Sequence, residues 1–370
     1  MLGIEAVAPT LGAQSAWLVA ARRCAAVVFL GVLPICLIAF LAADTGHHQS
    51  DFATFWQSGR DVLHGHSPYP ALHTLPRHAS PTSFAPFVYP PLAAVGMIPL
   101  SVLPYSVAVV LFVLVDLAAV ALALRLLGVT DWRCFGAAYA SAPVYASTGL
   151  GAISPLLLLG VALLWRYRDR AVIAGAAVAY VATAKIFLWP LWLWLIRTRR
   201  FAAAGVAASA AVVAIVISWA AVGFAGAREY PTLLGRLTSL VGPASYSPYA
   251  LGRSLGLGGG AAQAVVYLVA AVAIAVAAWA FSDQGRLLAA AIAISLVATP
   301  ILWPHYLVLL FVPIALARRS FSPLWLAPLA VWLDSAGWSM GSTTRIVGLL
   351  AIAAATLAAA ISRVSEPRPV

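Results

Sequence analysis

Three side chains combine a chemically useful type with a position beside a long apolar segment. Asp51 begins "DFATFWQSGRDVLHGHSPYP", Lys185 separates two apolar runs, and His305 lies within "TPILWPHYLVLL". A carboxylate held next to an apolar bundle can act as a general base toward a hydroxyl group. A phosphate leaving group departs as an anion that cationic or hydrogen-bond-donating side chains stabilise. These residue types are sufficient to transfer a group from a phosphate ester to an alcohol.

Each of these residues also has a purely structural interpretation. Asp51 could cap the helix that follows it, and His305 could be hydrogen-bonded within the packing. A lysine at the centre of a membrane helix costs about 2.5–3.5 kcal/mol, so Lys185 faces a cavity or an anion, or else extends from a helix end to the interface. Asp116 and Asp334 lie inside apolar runs, where function and helix-to-helix hydrogen bonding are both open.

The composition shows what kind of fold must position these residues. Of the 370 residues, 63% are hydrophobic and 9% are charged, whereas a soluble domain is about half apolar and a quarter charged. The sequence therefore predicts an all-α polytopic membrane protein with one bundle over residues 1–370. The net charge of +11 comes from arginines at the ends of apolar runs, which is typical of topology signals and argues against nucleic-acid binding.

The apolar runs predict about twelve transmembrane helices, since about 20 apolar residues are needed to cross a bilayer. Residues 88–104 form a shorter, proline-broken segment that we interpret as a re-entrant or partial span. The predicted spans are 24–42, 105–127, 134–150, 153–166, 171–184, 186–197, 201–222, 261–281, 287–300, 302–316, 321–335 and 345–361.

Arginine clusters predict the orientation of the bundle. They place both termini inside the cell under the positive-inside rule, with residues 362–370 as a cytoplasmic tail. Two long polar segments, 43–87 and 223–260, then lie outside. Because most polar sequence falls on this outer face, we expect the protein to act there.

The first outer segment is predicted to contain an amphipathic helix lying in the membrane interface, with Asp51 as its N-cap. Its apolar positions fall on one helical face while Gln57, Arg60 and Asp61 face away. The apolar positions are Phe52, Phe55, Trp56, Val62 and Leu63.

We expect no cofactor and no metal site. The six histidines of the first outer segment show no HExxH or comparable spacing, which favours solvated loop histidines. Asp44 and Asp51 flank His47 and His48, so a divalent cation is the alternative. The three cysteines have no spacing that predicts a metal site or a disulfide framework.

Four segments in this order resemble glycosyltransferase family 87, the polyprenol-phosphate-dependent glycosyltransferases of the GT-C fold. They are "SDFATFWQSGRDVLHGHSPY", "FVYPPLAAVGMIPLSVLP", "GLGAISPLLLLGVALLWRYRDRAVIAGAAVAYVATAKIFLWPLWLWLIRTRRF" and "ATPILWPHYLVLLFVPI". The resemblance runs from about residue 15 to residue 320. It implies a GT-C-type bundle and a multi-pass enzyme of the cell membrane, of the kind found in actinobacterial envelopes.

The resemblance also implies a reaction. Such enzymes move mannose from polyprenyl-phosphate-mannose to a glycolipid or lipoglycan on the extracytoplasmic face, with inversion at the anomeric carbon. Asp51 matches the general base, and Lys185 and His305 match residues that we assign to the donor phosphate. Arg253 in "SYSPYALGRS" is a further phosphate candidate. Arg60, Tyr89 and Trp303 are candidates for contacts with the sugar or the acceptor.

One departure from the family pattern affects the substrate. Gly151 is followed by Ala152, where the resemblance leads us to expect Gln or Asn, so an amide side chain is absent. Transfer of arabinofuranose from polyprenyl-phosphate-arabinose therefore stays an alternative. A lipid or solute transporter, and a non-catalytic membrane scaffold, are the alternatives from other functional classes.

Overall fold

A computed structural model describes residues 11–43, 50–76, 86–334 and 338–364 of the chain. Within these residues the protein is all helical and contains no β-strand. The predicted all-α class is therefore confirmed. Short 3₁₀ segments join several of the helices, and a π turn joins the first helix to the second.

Seventeen α-helices lie in the described part of the chain. In order they are α1 Leu11–Val27, α2 Leu33–Ala43, α3 Ser50–Leu63, α4 Pro91–Ser101, α5 Tyr105–Leu126, α6 Trp132–Tyr139, α7 Ala142–Leu150, α8 Ser154–Arg166, α9 Ala171–Ala184, α10 Pro190–Arg197, α11 Phe201–Ala221, α12 Tyr230–Val241, α13 Pro248–Ser254, α14 Gly259–Ala280, α15 Gln284–Ala298, α16 Phe311–Ala317 and α17 Thr343–Ile361. The π turn is Val28–Val32, and the 3₁₀ segments are Leu72–Thr74, Ile186–Leu188, Gly242–Ala244, Pro304–Leu310 and Pro323–Asp334.

Five helical stretches in the described residues are long and apolar enough to cross a membrane, and a sixth results if α7 and α8, which meet at 119°, count as one bent span. The other apolar helices have 10–17 residues. At 1.5 Å per residue, even 17 residues reach only about 26 Å, which is less than the hydrocarbon thickness of about 30 Å. The five stretches are Leu18–Phe40, Tyr105–Leu126, Phe201–Ala221, Gly259–Ala280 and Thr343–Ile361.

The structure thus supports a membrane protein but does not show the predicted count of about twelve full crossings. The difference arises where the predicted spans are interrupted. The predicted span 134–150 is divided between α6 and α7, and the predicted span 302–316 is largely a 3₁₀ segment followed by the short α16. Proline contributes to such breaks because it lacks the amide hydrogen that continues an α-helix. Helix α4, within the segment predicted to be a partial span, has 11 residues.

Helix α3 has the amphipathic character that the sequence predicts. Phe52, Phe55 and Val62 are buried, but Leu63 is 47% exposed, so the apolar face ends before the last residue. The Phe52 ring packs 4.9 Å from the Phe112 ring of α5, between ring centroids. The helix begins at Ser50, so Asp51 is its second residue, and the prediction that Asp51 is the N-cap is wrong.

Helix α3 is held closely against α4. A Cβ atom on Gly59 would overlap the hydroxyl of Ser101, so only glycine allows this approach. Ser101 Oγ donates a hydrogen bond to the carbonyl oxygen of Trp56 at 2.9 Å. The indole nitrogen of Trp56 donates to the carbonyl oxygen of Leu103 at 3.2 Å. These contacts fix the position of the helix that carries Asp51.

The turn between α7 and α8 also packs against α3. Gly151 ends α7 in the left-handed region, with φ 65° and ψ 42°, and a Cβ atom there would overlap the Cβ of Phe52. We expect Gly151→Ala to lower the free energy of unfolding by about 2–4 kcal/mol, because it adds left-handed strain to overpacking. Thermal unfolding of the purified protein measures this loss.

Gly256→Ala is the matched control. Gly256 also has a positive φ, 88°, but a Cβ there would meet open space. This control should show the backbone strain alone, about 1–2 kcal/mol. Equal losses of stability for the two variants would contradict the contact between Gly151 and α3.

A carboxylate links distant parts of the chain at the end of the bundle away from α3. Asp131 accepts hydrogen bonds from the backbone nitrogen of Arg133 at 3.1 Å and from that of Phe321 at 3.0 Å. Its ion pair with the Arg133 guanidinium at 2.8 Å, together with these bonds, lowers the pKa of Asp131 to about 2. A lowered carboxyl pKa stabilises the fold above pH 3.8, and that stabilisation is lost as the pH falls through about 2.

Candidate active site

Asp51, Lys185 and His305 line one large cavity of about 1660 Å³. They come from α3, from the break between α9 and α10, and from the 3₁₀ segment Pro304–Leu310. Drug-sized ligands usually occupy pockets of about 300–1000 Å³, so this cavity has room for a ligand with several parts or for two ligands. The tertiary structure therefore brings together three residues that the sequence analysis singled out separately.

Lys185 lies where the chain leaves α9. Its backbone is extended, with φ −149° and ψ 105°, and the 3₁₀ segment Ile186–Leu188 follows directly. Only 8% of Lys185 is exposed. Its Nζ makes no hydrogen bond within the described residues. A buried ammonium group without a hydrogen-bonding partner is costly in free energy, which favours an anionic ligand at this position.

Two aromatic rings contact the Lys185 ammonium. Nζ lies 3.9 Å from the centroid of the Tyr306 ring and 5.1 Å from that of the Tyr89 ring. Both distances are within the range of cation–π interactions. The rings contact the ammonium group without neutralising its charge. Burial lowers the pKa of Lys185 to about 7, and a bound phosphate anion would favour the charged form.

His305 is equally enclosed, with 4% of its surface exposed. Ser147 Oγ of α7 donates a hydrogen bond to its carbonyl oxygen at 3.3 Å, and its ring packs edge-on to Tyr306 at 4.7 Å between centroids. Its Nε2 is buried without a hydrogen-bond partner in the described part of the chain. An imidazole nitrogen of this kind can donate to an oxygen of a ligand.

Asp51 supplies a carboxylate to the wall of the cavity. Burial raises its pKa to about 6, and the positive charge of Lys185 opposes that shift. The same charge acts on His305, so the three side chains form one electrostatically connected group. A carboxyl with this pKa is ionised at neutral pH and yet basic enough to accept a proton from a hydroxyl group.

The remaining predicted site residues fall into two groups. Tyr89 and Trp303 line the cavity. Arg253 and Arg60 are exposed and do not line it. The Arg60 guanidinium instead lies over the Trp56 ring, 4.9 Å from its centroid. The two arginines are therefore not brought together with Asp51, Lys185 and His305.

Several residues that the sequence analysis did not assign to a site also line the cavity. Tyr306 directly follows His305, but nothing in the spacing indicated its contact with Lys185. Asp334 was noted only as a carboxylate within an apolar run, and Trp332 and Trp338 near it gave no signal. Their positions depend on how the last third of the chain folds against α7.

No group of three or more histidine, cysteine, aspartate or glutamate side chains suited to a metal ion occurs in the part of the chain that the structure describes. Asp44, His47 and His48, which suggested a divalent cation as the alternative, lie outside the described residues.

Comparison with known proteins identifies the family. Residues 87–304 match the model of glycosyltransferase family 87. A polyprenol-phosphate-mannose-dependent alpha-(1-2)-phosphatidylinositol pentamannoside mannosyltransferase of Mycobacterium tuberculosis is 29% identical over 285 residues, which cover 71% of this chain and 62% of the relative. A protein with the same description from Mycolicibacterium smegmatis is 27% identical over 283 residues, or 71% of this chain and 64% of the relative.

The chain therefore spans less than two thirds of the length of these relatives. No solved structure matches it significantly. The family match covers more than half of the chain and includes Tyr89, Lys185 and Trp303. This protein belongs to glycosyltransferase family 87.

Proposed function

We propose that this protein transfers a mannosyl residue from polyprenyl-phosphate-mannose to a hydroxyl group of a glycolipid or lipoglycan. The observation that carries the proposal is the buried ammonium of Lys185, which faces the same cavity as the Asp51 carboxylate. A buried ammonium group without a hydrogen-bond partner suits a phosphate, and a carboxylate suits a hydroxyl, so the cavity has complementary groups for both substrates. The descriptions of the mycobacterial relatives name such a donor and a phosphatidylinositol mannoside acceptor, which favours mannose over arabinose.

The reaction is a single displacement at the anomeric carbon. Asp51 accepts the proton of the acceptor hydroxyl. At the same time the oxygen of that hydroxyl forms a bond to the anomeric carbon. The bond from that carbon to the phosphate oxygen breaks, and polyprenyl phosphate leaves with the electron pair, so the configuration inverts. Lys185 and His305 hold the phosphate and stabilise its added negative charge. Binding both lipid substrates in one cavity supplies the orientation that the displacement needs.

The direction of α9 supports a reaction on the extracytoplasmic face of a GT-C-type bundle. Arg170 precedes α9 and Lys185 follows it, so about 21 Å of helix separates them at 1.5 Å per residue. Arg200 donates hydrogen bonds to the carbonyl oxygen of Arg168 and to Asp169, which places these arginines at the Arg170 end. By the positive-inside rule the Arg170 end points toward the cytoplasm, so the Lys185 end points toward the extracytoplasmic side.

A direct transfer assay tests the proposal. The full chain in lipid nanodiscs is supplied with radiolabelled polyprenyl-phosphate-mannose and a phosphatidylinositol mannoside. We expect a glycolipid longer by one mannose, with the anomeric configuration inverted relative to the donor. Labelled polyprenyl-phosphate-arabinose is the parallel donor. If label is incorporated only from polyprenyl-phosphate-arabinose, the transferred sugar is arabinose and not mannose. If label is incorporated from neither donor, the proposal is contradicted.

The pH dependence of the transfer reports on Asp51. Because the base must be ionised and its pKa is about 6, kcat/KM should fall about tenfold per pH unit below pH 6. A carboxyl at its ordinary pKa of 3.8 would keep full activity down to about pH 5. Transfer rates between pH 4.5 and 8.5 measure this acidic limb of the pH profile. Asp51→Glu should shift the pH at which kcat/KM begins to fall. A limb near pH 4 in the unaltered protein would argue against a buried base.

A further inference from the structure

The Lys185 ammonium and the Asp51 carboxylate line the same cavity, but they are not hydrogen-bonded to each other. The charge of each acts on the other, yet Lys185 Nζ makes no hydrogen bond to any described residue. Opposite charges attract more strongly in a buried site than in water. A direct ion pair would occupy the cation that the donor phosphate needs and would weaken the carboxylate as a base. The surroundings of the ammonium must therefore keep the two groups apart.

The ammonium lies over the face of the Tyr306 ring. Nζ is 3.9 Å from the centroid of that ring, closer than its 5.1 Å from the Tyr89 centroid. Cation–π attraction is strongest where water is excluded, and Lys185 is buried. The Tyr306 ring is itself fixed, because it stacks on the Phe187 ring with 6° between the planes and 5.1 Å between the centroids. A ring held in this way defines where the ammonium lies.

Tyr89 extends these contacts to α3, the helix that carries Asp51. Its ring packs 4.6 Å from the Phe55 ring of α3, between centroids. Its backbone carbonyl oxygen accepts a hydrogen bond from the Tyr69 hydroxyl at 2.9 Å. Both the ring and the backbone of Tyr89 are thus restrained. The ammonium that contacts this ring is therefore held in a fixed position relative to α3.

The titratable groups that interact around Lys185 come from three parts of the chain. Asp51 lies on α3 and Tyr89 precedes α4. His305 and Tyr306 are neighbours in one 3₁₀ segment. Burial raises the pKa of both tyrosines and lowers the pKa of His305, so all three are uncharged at neutral pH. Among these groups, Asp51 is therefore the anion toward which the ammonium could turn.

We propose that the Tyr306 and Tyr89 rings hold the Lys185 ammonium away from the Asp51 carboxylate. The cation then stays available to the donor phosphate, and the carboxylate stays available to the acceptor hydroxyl. Both tyrosines are positioning residues that act through their ring faces, so their hydroxyl groups are not required for this role. The inference rests on the proposed function, because that proposal assigns the two roles to Lys185 and Asp51.

The position of the ammonium can be measured directly, because Lys185 is the single lysine of the chain. Isotopically labelled lysine therefore gives one side-chain signal in nuclear magnetic resonance of the full chain in nanodiscs, without substrate or turnover. We expect an upfield ring-current shift of the protons next to Nζ, because Nζ lies over the Tyr306 ring. Tyr306→Phe should keep this shift, and Tyr306→Leu should lose most of it.

The pH titration of the same signal reports on the distance to Asp51. In Tyr306→Leu the ammonium should pair with the carboxylate, which raises the pKa of Lys185 by about one unit. Adding Asp51→Asn removes the partner and should lower that pKa again. Phe311→Leu is the matched control, because Phe311 is a fully buried ring that stacks on Trp325 and does not line the cavity. It should leave the lysine signal and its titration unchanged.

The transfer assay gives a second readout. Tyr306→Leu should raise the donor KM about tenfold. It should also move the acidic limb of the pH profile about one unit lower, because a closer cation lowers the pKa of Asp51. In the Lys185→Met background, Tyr306→Leu should change neither value further, since the cation that the ring holds is absent. Tyr89→Leu should give smaller changes in the same direction, because its ring lies farther from Nζ.

The outcomes separate the inference from the proposed function. Absence of the ring-current shift in the unaltered protein overturns the inference, and so does a lysine signal that titrates identically in Tyr306→Leu and the unaltered protein. An effect of Tyr306→Leu on the donor KM that persists in full without Lys185 also overturns it. Absence of any transfer by the unaltered protein contradicts the proposed function, and the lysine signal still decides whether the rings keep the ammonium from Asp51.

Discussion

Asp51→Asn is expected to lower the rate of sugar transfer about a thousandfold and to leave the protein folded. General-base catalysis contributes about 10²–10⁴-fold, and an amide of the same shape cannot accept the hydroxyl proton. The side chain lines the cavity, and asparagine has nearly the same shape as aspartate, so the packing of Phe52 and Phe55 in the core should be preserved. The initial rate with saturating donor and acceptor, measured beside thermal unfolding, gives both quantities.

Asp61→Asn is the matched control for this prediction. Asp61 lies on the same helix, accepts a hydrogen bond from Gln57 at 2.9 Å and does not line the cavity. Its loss should leave transfer within about twofold of the unaltered rate. If Asp51→Asn retained more than a tenth of the rate, Asp51 would not be the base. A large loss in Asp61→Asn would show that the rate depends on the general charge of α3.

Lys185→Met is expected to lower kcat/KM for the donor by about 10–150-fold, mainly through the KM. Removing a hydrogen bond to a charged group costs about 1.5–3 kcal/mol, which corresponds to that range. Methionine keeps most of the volume and so preserves the packing against Tyr89 and Tyr306. Steady-state rates with varied donor at fixed acceptor measure the effect.

Stability distinguishes a substrate-binding role for Lys185 from a structural one. Because the ammonium is buried without a hydrogen-bond partner, replacing it with an apolar side chain removes a desolvation cost while it also removes the favourable charge interaction with Asp51. The two effects oppose each other, so the melting temperature should change little. Arg236→Met is the control, since Arg236 is an exposed cation on α12 that does not line the cavity. An unchanged donor KM in Lys185→Met, or a loss of activity that only accompanies unfolding, would remove Lys185 from the phosphate site.

The family and the helical class were predictable from the sequence because both are carried by local patterns. The segment around Lys185 lies within residues 87–304, which match the family model, so the predicted family is confirmed. The amphipathic pattern of α3 likewise predicts which side of the helix is buried, because a helix of known period fixes the direction of each side chain.

The number of full membrane crossings was not predictable in the same way. Hydropathy counts apolar residues but does not register where the backbone turns. The bend of 119° between α7 and α8 and the 3₁₀ segment Pro304–Leu310 lie inside apolar sequence. These breaks also create the site, since Lys185 and His305 both lie where regular α-helix is interrupted.

The sequence by itself determined a helical membrane protein of family 87 and the residue types that could serve as base and phosphate ligand, because composition, periodicity and motif order are properties of the chain. Only the tertiary structure decided which of the candidates share a cavity. It brings Asp51, Lys185 and His305 together, leaves Arg60 and Arg253 exposed, and adds Asp334 from the last third of the chain. These residues are far apart in sequence, and their proximity depends on helix packing that no local pattern encodes.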